Sequence, residues 1–190
     1  MLKKVSLPVA AVAALGLSVT VAHGDGKGHR SRDLRAELRA SNEVPFVSSP
    51  ATGKFRARVA HDGTSFDYWL DYEGFEGTVT QSHIHIGQRF AAGGISVWLC
   101  QTASNPAPPA VAGQTPTCGD PGGEDFEATG TISAEDVIGP TGQAVPAMSF
   151  EELLGLIRSG NAYVNVHSTS APGGEVRGQI KPGRGGDDDD

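Results

Sequence analysis

The stretch Lys54-Phe55-Arg56-Ala57-Arg58-Val59-Ala60-His61-Asp62-Gly63-Thr64-Ser65-Phe66-Asp67-Tyr68-Trp69-Leu70-Asp71-Tyr72 decides the fold. Its apolar residues fall on every second position. Phe55, Ala57 and Val59 alternate with Lys54, Arg56 and Arg58, and then Phe66, Tyr68, Leu70 and Tyr72 share one side. Successive side chains of an extended chain point to opposite faces, so a period of two marks half-buried strands, whereas a helix repeats near 3.6. His61-Asp62-Gly63-Thr64 lies between the two runs, and Asp-Gly tolerates the positive φ that a tight hairpin needs. Residues 54–72 therefore read as an antiparallel hairpin with one face in a core.

The same pattern continues outward. Leu34, Ala36 and Leu38 alternate with Arg35, Glu37 and Arg39; strands are also expected over Thr78–Ile86, Ile95–Cys100, Phe126–Ile132, Ala162–Ser168 and Glu175–Lys181. Gly74, Gly77, Gly93-Gly94 and Pro172-Gly173-Gly174 punctuate them. One helix is expected, Ser149–Arg158, with Ser149 as its cap, Glu151 and Glu152 in its first turn and Gly160 as its stop. About eight strands with one short helix imply an all-β antiparallel fold, a Greek-key-like β-sandwich or a barrel; a parallel sheet would need a helix between most strands.

The two ends differ from this domain. Residues 1–22 have the layout of a secretory signal peptide: Lys3 and Lys4, an apolar stretch from Val5 to Val21, and a cleavage position after Ala22. The expected destination is the medium, the periplasm or the cell envelope, with no permanent membrane span after cleavage. Residues 23–32 read as a flexible leader, 33–182 as the domain, and 183–190, ending in Asp187–Asp190, as an acidic disordered tail. Without residues 1–22 the chain keeps 13 of its 15 basic and all 22 acidic side chains, a formal −9. An acidic chain with scattered arginines has no electrostatic footprint for nucleic acid. Two cysteines, Cys100 and Cys118, in an exported chain imply one disulfide, which would close the loop Gln101–Thr117 and stabilise the fold by roughly 3 kcal/mol.

Chemistry concentrates in two segments, His83-Ile84-His85 and Tyr163-Val164-Asn165-Val166-His167. Strand periodicity puts His83 and His85 on one face and Tyr163, Asn165 and His167 on the face opposite Val164 and Val166. If the strands are neighbours, three imidazoles meet, and an all-imidazole set without thiolate suits copper or zinc rather than calcium or magnesium. The alternative is that all three are satisfied by hydrogen bonds with no metal. His61 reads as a solvent residue of the turn. His23, as a mature N-terminus, and His29 would make a poorly organised copper chelate.

The segments Asn42-Glu43-Val44-Pro45, Ser82-His83-Ile84-His85-Ile86-Gly87, Tyr163-Val164-Asn165-Val166-His167-Ser168 and Gly174-Glu175-Val176-Arg177-Gly178-Gln179-Ile180 resemble the CHRD domain, named for its occurrence in chordin, over about residues 33–182. That resemblance implies an extracellular or envelope β-rich domain and no settled activity. A weaker likeness, to copper/zinc superoxide dismutases, rests on the order His83, His85, His167, Arg177 and implies copper ligation by the histidines and anion guidance by Arg177. No histidine lies between Ile86 and Ala162, so the bridging and zinc ligands of those enzymes have no counterpart.

Each remaining motif has a plainer reading. Arg177 and Glu175, two apart, fit an ion pair or a loop clamp. Gly173, Gly174 and Gly178 fit turns and close strand packing rather than phosphate binding. Trp69, Tyr72, Phe90 and Trp98 form either core or an aromatic patch for a carbohydrate or protein partner. No Gly-x-Ser-x-Gly elbow and no Ser-His-Asp arrangement is present, and the glutamate that would follow a cupin His-x-His is missing after His85. Two functions follow: an exported domain that binds copper, or zinc, through His83, His85 and His167 for capture or redox buffering; or a non-enzymatic extracellular module with structural histidines and a protein or polysaccharide partner.

Overall fold

The computed structural model describes residues 31–119 and 127–183. The signal segment, leader and acidic tail expected from the sequence lie outside the described residues, apart from Ser31, Arg32 and Gly183. Strands are β1 (Asp33–Arg39), β2 (Thr52–Val59), β3 (Phe66–Glu73), β4 (Val79–Ile86), β5 (Gly94–Cys100), β6 (Glu127–Ile132), β7 (Ala162–Ser168), β8 (Val176–Gln179) and the short β9 (Lys181–Pro182); the helix α1 is Phe150–Arg158.

The hairpin of residues 54–72 is present: β2 and β3 pair antiparallel with Val59 opposite Phe66, and the Ala60 N–H donates to the Ser65 carbonyl at 2.9 Å across the turn. The alternating residues of β1, β2 and β3 face inward. Leu34, Leu38, Phe55, Phe66, Tyr68 and Leu70 are all buried, and so are Ile84, Val97, Val164 and Val166 from the other half.

All strand pairs are antiparallel, in the order β5-β4-β7-β8-β1-β2-β3-β6, with β9 added to β1. This single path does not separate into the two sheets of the expected Greek-key sandwich; the sheet curls until it nearly closes as a barrel. Alternation sets which side of a strand is buried, and both architectures satisfy it. Among the described residues, hydrogen bonds cross the remaining gap. The Tyr68 hydroxyl on β3 donates to the Leu99 carbonyl on β5 at 2.6 Å, and the Ile138 N–H donates to the Ser96 carbonyl at 2.9 Å.

Some local expectations shift. The helix begins at Phe150, and Ser149 precedes it without a side-chain cap, its hydroxyl donating instead to Glu152 at 3.3 Å. The last expected strand is divided: β8 runs along β7, with the Ile180 N–H still donating to the Ala162 carbonyl, and Lys181 and Pro182 then join β1. Cys100 and Cys118 form the disulfide, and the loop it closes is tied inward through the Gln101 amide to the Ala112 and Thr115 carbonyls, each at 2.7 Å. Among the described residues no helix is long and apolar enough to cross a membrane.

Candidate metal centre

β4 and β7 are neighbours, with Gln81 opposite His167, His83 opposite Asn165 and His85 opposite Tyr163. The register makes His83 and His167 diagonal neighbours on the outer face, within reach of each other. Every residue of β7 is nevertheless buried. The outer face is covered by the loops that follow β1, β4 and β7, so the histidines have left water without entering the apolar interior of the barrel.

The three imidazoles converge. His83 Nδ1 lies 3.2 Å from His167 Nε2, and one ligand atom from each of His83, His85 and His167 falls within 4.8 Å of the others. His85 Nδ1 donates to the Gly93 carbonyl at 2.8 Å and His167 Nδ1 to the Pro172 carbonyl at 2.9 Å. A ring that spends its only proton on a carbonyl turns a bare lone pair the other way, which is how metal-binding histidines are held. His85 Nε2 is buried with no hydrogen-bond partner.

Burial favours the neutral rings. It pushes His83 down to about 2, helped by His167 and His85, and His85 down to about 4; His167 is lowered by the same cause. Three neutral, dry imidazoles form a donor set suited to a transition metal. Ligands at about 2.0–2.1 Å from one ion stand roughly 3.3 Å apart in a tetrahedral arrangement, which the His83–His167 spacing already matches. The widest spacing is longer, so binding would draw one ring inward.

Aromatic rings wall the cluster. Trp98 meets His83 edge-on with centroids 4.2 Å apart, and Tyr163 lies parallel to His85 at 4.8 Å. The other face of Tyr163 carries the Arg177 guanidinium, 3.4 Å from the ring centroid. Arg177 Nη2 donates to the Gln88 and Ala91 carbonyls at 3.0 and 2.9 Å, so this arginine clamps the loop between β4 and β5. Of the two plain readings of this arginine, the loop clamp is the one present, and Glu175 is not its ion-pair partner. Glu175 is buried and accepts from the Ser49 hydroxyl at 2.6 Å and from the Ser168 hydroxyl.

The chain matches the family model of the CHRD domain over residues 34–180. It belongs to the CHRD domain family. No curated protein and no solved structure matches it. In this CHRD domain the motif residues quoted above meet at one place: Glu43 from the loop after β1, His83 and His85 from β4, Asn165 and His167 from β7, and Arg177 from β8.

Glu43 is the member that residue-by-residue reasoning missed. It is buried beside Arg177 and Asn165, and desolvation raises its carboxyl to about 7. The one available signal was an acid inside a motif of the family, too far in sequence from the histidines for spacing to connect them. Of the other expectations, His61 is exposed and contacts Arg32, Tyr72 belongs to the core, Trp98 is half-buried, and Trp69 and Phe90 are exposed; His23 and His29 lie outside the described residues. Gly178 packs so closely on the Glu37 carbonyl of β1 that no Cβ fits.

Proposed function

We propose that this CHRD domain is an exported metal-binding protein that holds one transition-metal ion, copper in preference to zinc, on His83, His85 and His167. The observation that carries this reading is the unpartnered, buried Nε2 of His85, gathered with two other neutral imidazoles while the Gly93 and Pro172 carbonyls fix the rings of His85 and His167. A merely structural histidine in such a place would hydrogen-bond through both nitrogens. Copper is favoured over zinc because a nitrogen-only site ranks it highest among the divalent first-row ions. The Cys100–Cys118 disulfide supports an oxidising destination, the periplasm, envelope or medium.

The role that fits is capture or redox buffering. Arg177 lines a cavity of about 450 Å³ with Arg35, Arg89, Lys181 and a single acid, Glu37, a net-basic concavity in an acidic chain, which supports a part for it in drawing small anions toward the site. Tyr163 stands between Arg177 and His85, so that attraction would act at the approach rather than on the metal itself. Metal analysis after dialysis against micromolar copper tests the proposal. About one ion per chain, lost in His85→Ala and His167→Ala, is expected; a wild-type chain that retains none refutes it.

One observation favours a second reading. Phe46 and Phe90, in the loops that cover the histidines, are each 69 % exposed, as a contact with an extracellular protein or polysaccharide would use. In that reading the imidazoles only hold the loops, and the same metal analysis separates the two.

A further inference from the structure

Beside the three imidazoles lies a second set of polar groups that the ligand set leaves unexplained. Asn165 stands directly opposite His83 on one side and Arg177 on the other. Asn165 Oδ1, His83 Nε2 and Glu43 Oε1 are all buried without a hydrogen-bond partner. A Cβ on Gly174, whose φ is +123°, would sit 2.6 Å from Glu43 Oε1 and 3.0 Å from Asn165 Nδ2. Glycine at this place therefore leaves room for the carboxyl and the amide to meet. Asn165 acts electrostatically on both neighbours, on Glu43 through one end of its amide and on the imidazoles of His83 and His85 through the other.

Proton counting explains why these atoms are orphaned. His167 spends its proton on the Pro172 carbonyl, so its Nε2 can only accept, and His83 Nδ1, 3.2 Å away, must carry the His83 proton. His83 Nε2 is then a bare lone pair on the side of Asn165 Oδ1, another acceptor. Two buried acceptors beside one another are unfavourable. Ligation by Nδ1 would remove the conflict. The ring keeps one proton throughout, moved from Nδ1 to Nε2, and Nε2–H then donates to Asn165 Oδ1 while Asn165 Nδ2 donates to Glu43.

We propose that Asn165, braced by Glu43, is the positioning residue that selects the Nε2–H tautomer of His83 and so makes Nδ1 its metal-binding atom. The inference rests on the three-histidine reading and deepens it. The hydrogen-bonded chain Glu43–Asn165–His83 is complete only in the loaded protein, so metal uptake is coupled to the loop after β1 that carries Glu43.

The test uses protein labelled with ¹⁵N in its histidines, titrated with zinc as a diamagnetic probe, with long-range ¹H–¹⁵N spectra reporting each tautomer. His83 is expected to change from Nδ1–H to Nε2–H on loading while His85 and His167 stay Nδ1–H. Asn165→Ala should bind zinc about 10–100-fold more weakly, as is usual for loss of an outer partner, and Asn165→Asp, which keeps an acceptor for Nε2–H, should recover part of the loss. A wild-type chain that binds zinc with His83 still Nδ1–H overturns this inference alone, as does an Asn165→Ala chain that binds as tightly as wild type. A wild-type chain that takes up neither zinc nor copper(I), which is equally diamagnetic and replaces zinc in the same spectra, overturns the metal reading and this one with it. If Asn165→Ala fails to fold, the wild-type tautomer decides.

Discussion

Lowering the pH from 7.5 to 6 should leave metal binding nearly unaccompanied by proton release. At pH 6 an ordinary imidazole, with a pKa of about 6.5, is roughly three-quarters protonated, so three exposed ligands would release about 2.3 protons for each ion bound. Burial pushes His83 down to about 2 and His85 down to about 4, so both are already neutral there. His167 is lowered as well, and at its ordinary value it would contribute no more than about 0.8 proton. Calorimetric zinc titrations at pH 6, in buffers of differing ionisation enthalpy, give the proton count from the slope of heat against that enthalpy. A slope below one is expected. A release of two or more protons would mean that the imidazoles titrate as solvent-exposed groups, and the account of a dry, pre-deprotonated site would be wrong.

Other consequences concern stability. The depressed histidines make the folded metal-free state lose stability as pH falls below about 6.5, since the unfolded chain takes up protons that the folded one refuses. Glu43 acts with the opposite sign: raised to about 7 from 4.5, it holds a proton that the unfolded chain gives up, so stability declines as pH rises through that window. Glu43→Gln should flatten the decline and gain up to order 3 kcal/mol in urea melts at pH 8; an unchanged pH profile would show that the carboxyl is hydrated. Tyr68→Phe, which leaves the Leu99 carbonyl without its partner across the barrel gap, should cost about 1–3 kcal/mol in the same assay, and a neutral result would discount that link. Gly174→Ala, strained by its φ and crowded by Glu43 Oε1, should lower the melting temperature and weaken zinc binding together; loss of only one of the two would uncouple the glycine from the site.

How much of this was legible beforehand varies by element. Alternation in residues 54–72 specifies the hairpin, because burial of one face leaves no other register. The division of β7 into Val164 and Val166 against Tyr163, Asn165 and His167 is legible for the same reason, and it brings His167 to His83. The curl of the sheet is not legible, since a sandwich and a barrel place the same residues inside. Burial of the outer face is also hidden. It depends on Gly93 and Pro172, which accept from His85 and His167, and on Glu43 and Gln88 beside Arg177; all four lie in loops, and loops carry no periodicity to read. The loop-clamping role of Arg177 could be expected from its chemistry, whereas its contact with Tyr163 and the pairing of Glu175 with Ser49 and Ser168 depend on the closed fold.

The central claim is that three imidazoles share one ion, and anomalous diffraction from crystals grown with copper tests it most directly. A single peak is expected about 2.0–2.1 Å from His83 Nδ1, His85 Nε2 and His167 Nε2. A map with no peak there, and with His83 Nδ1 still bonded to His167 Nε2, would contradict it.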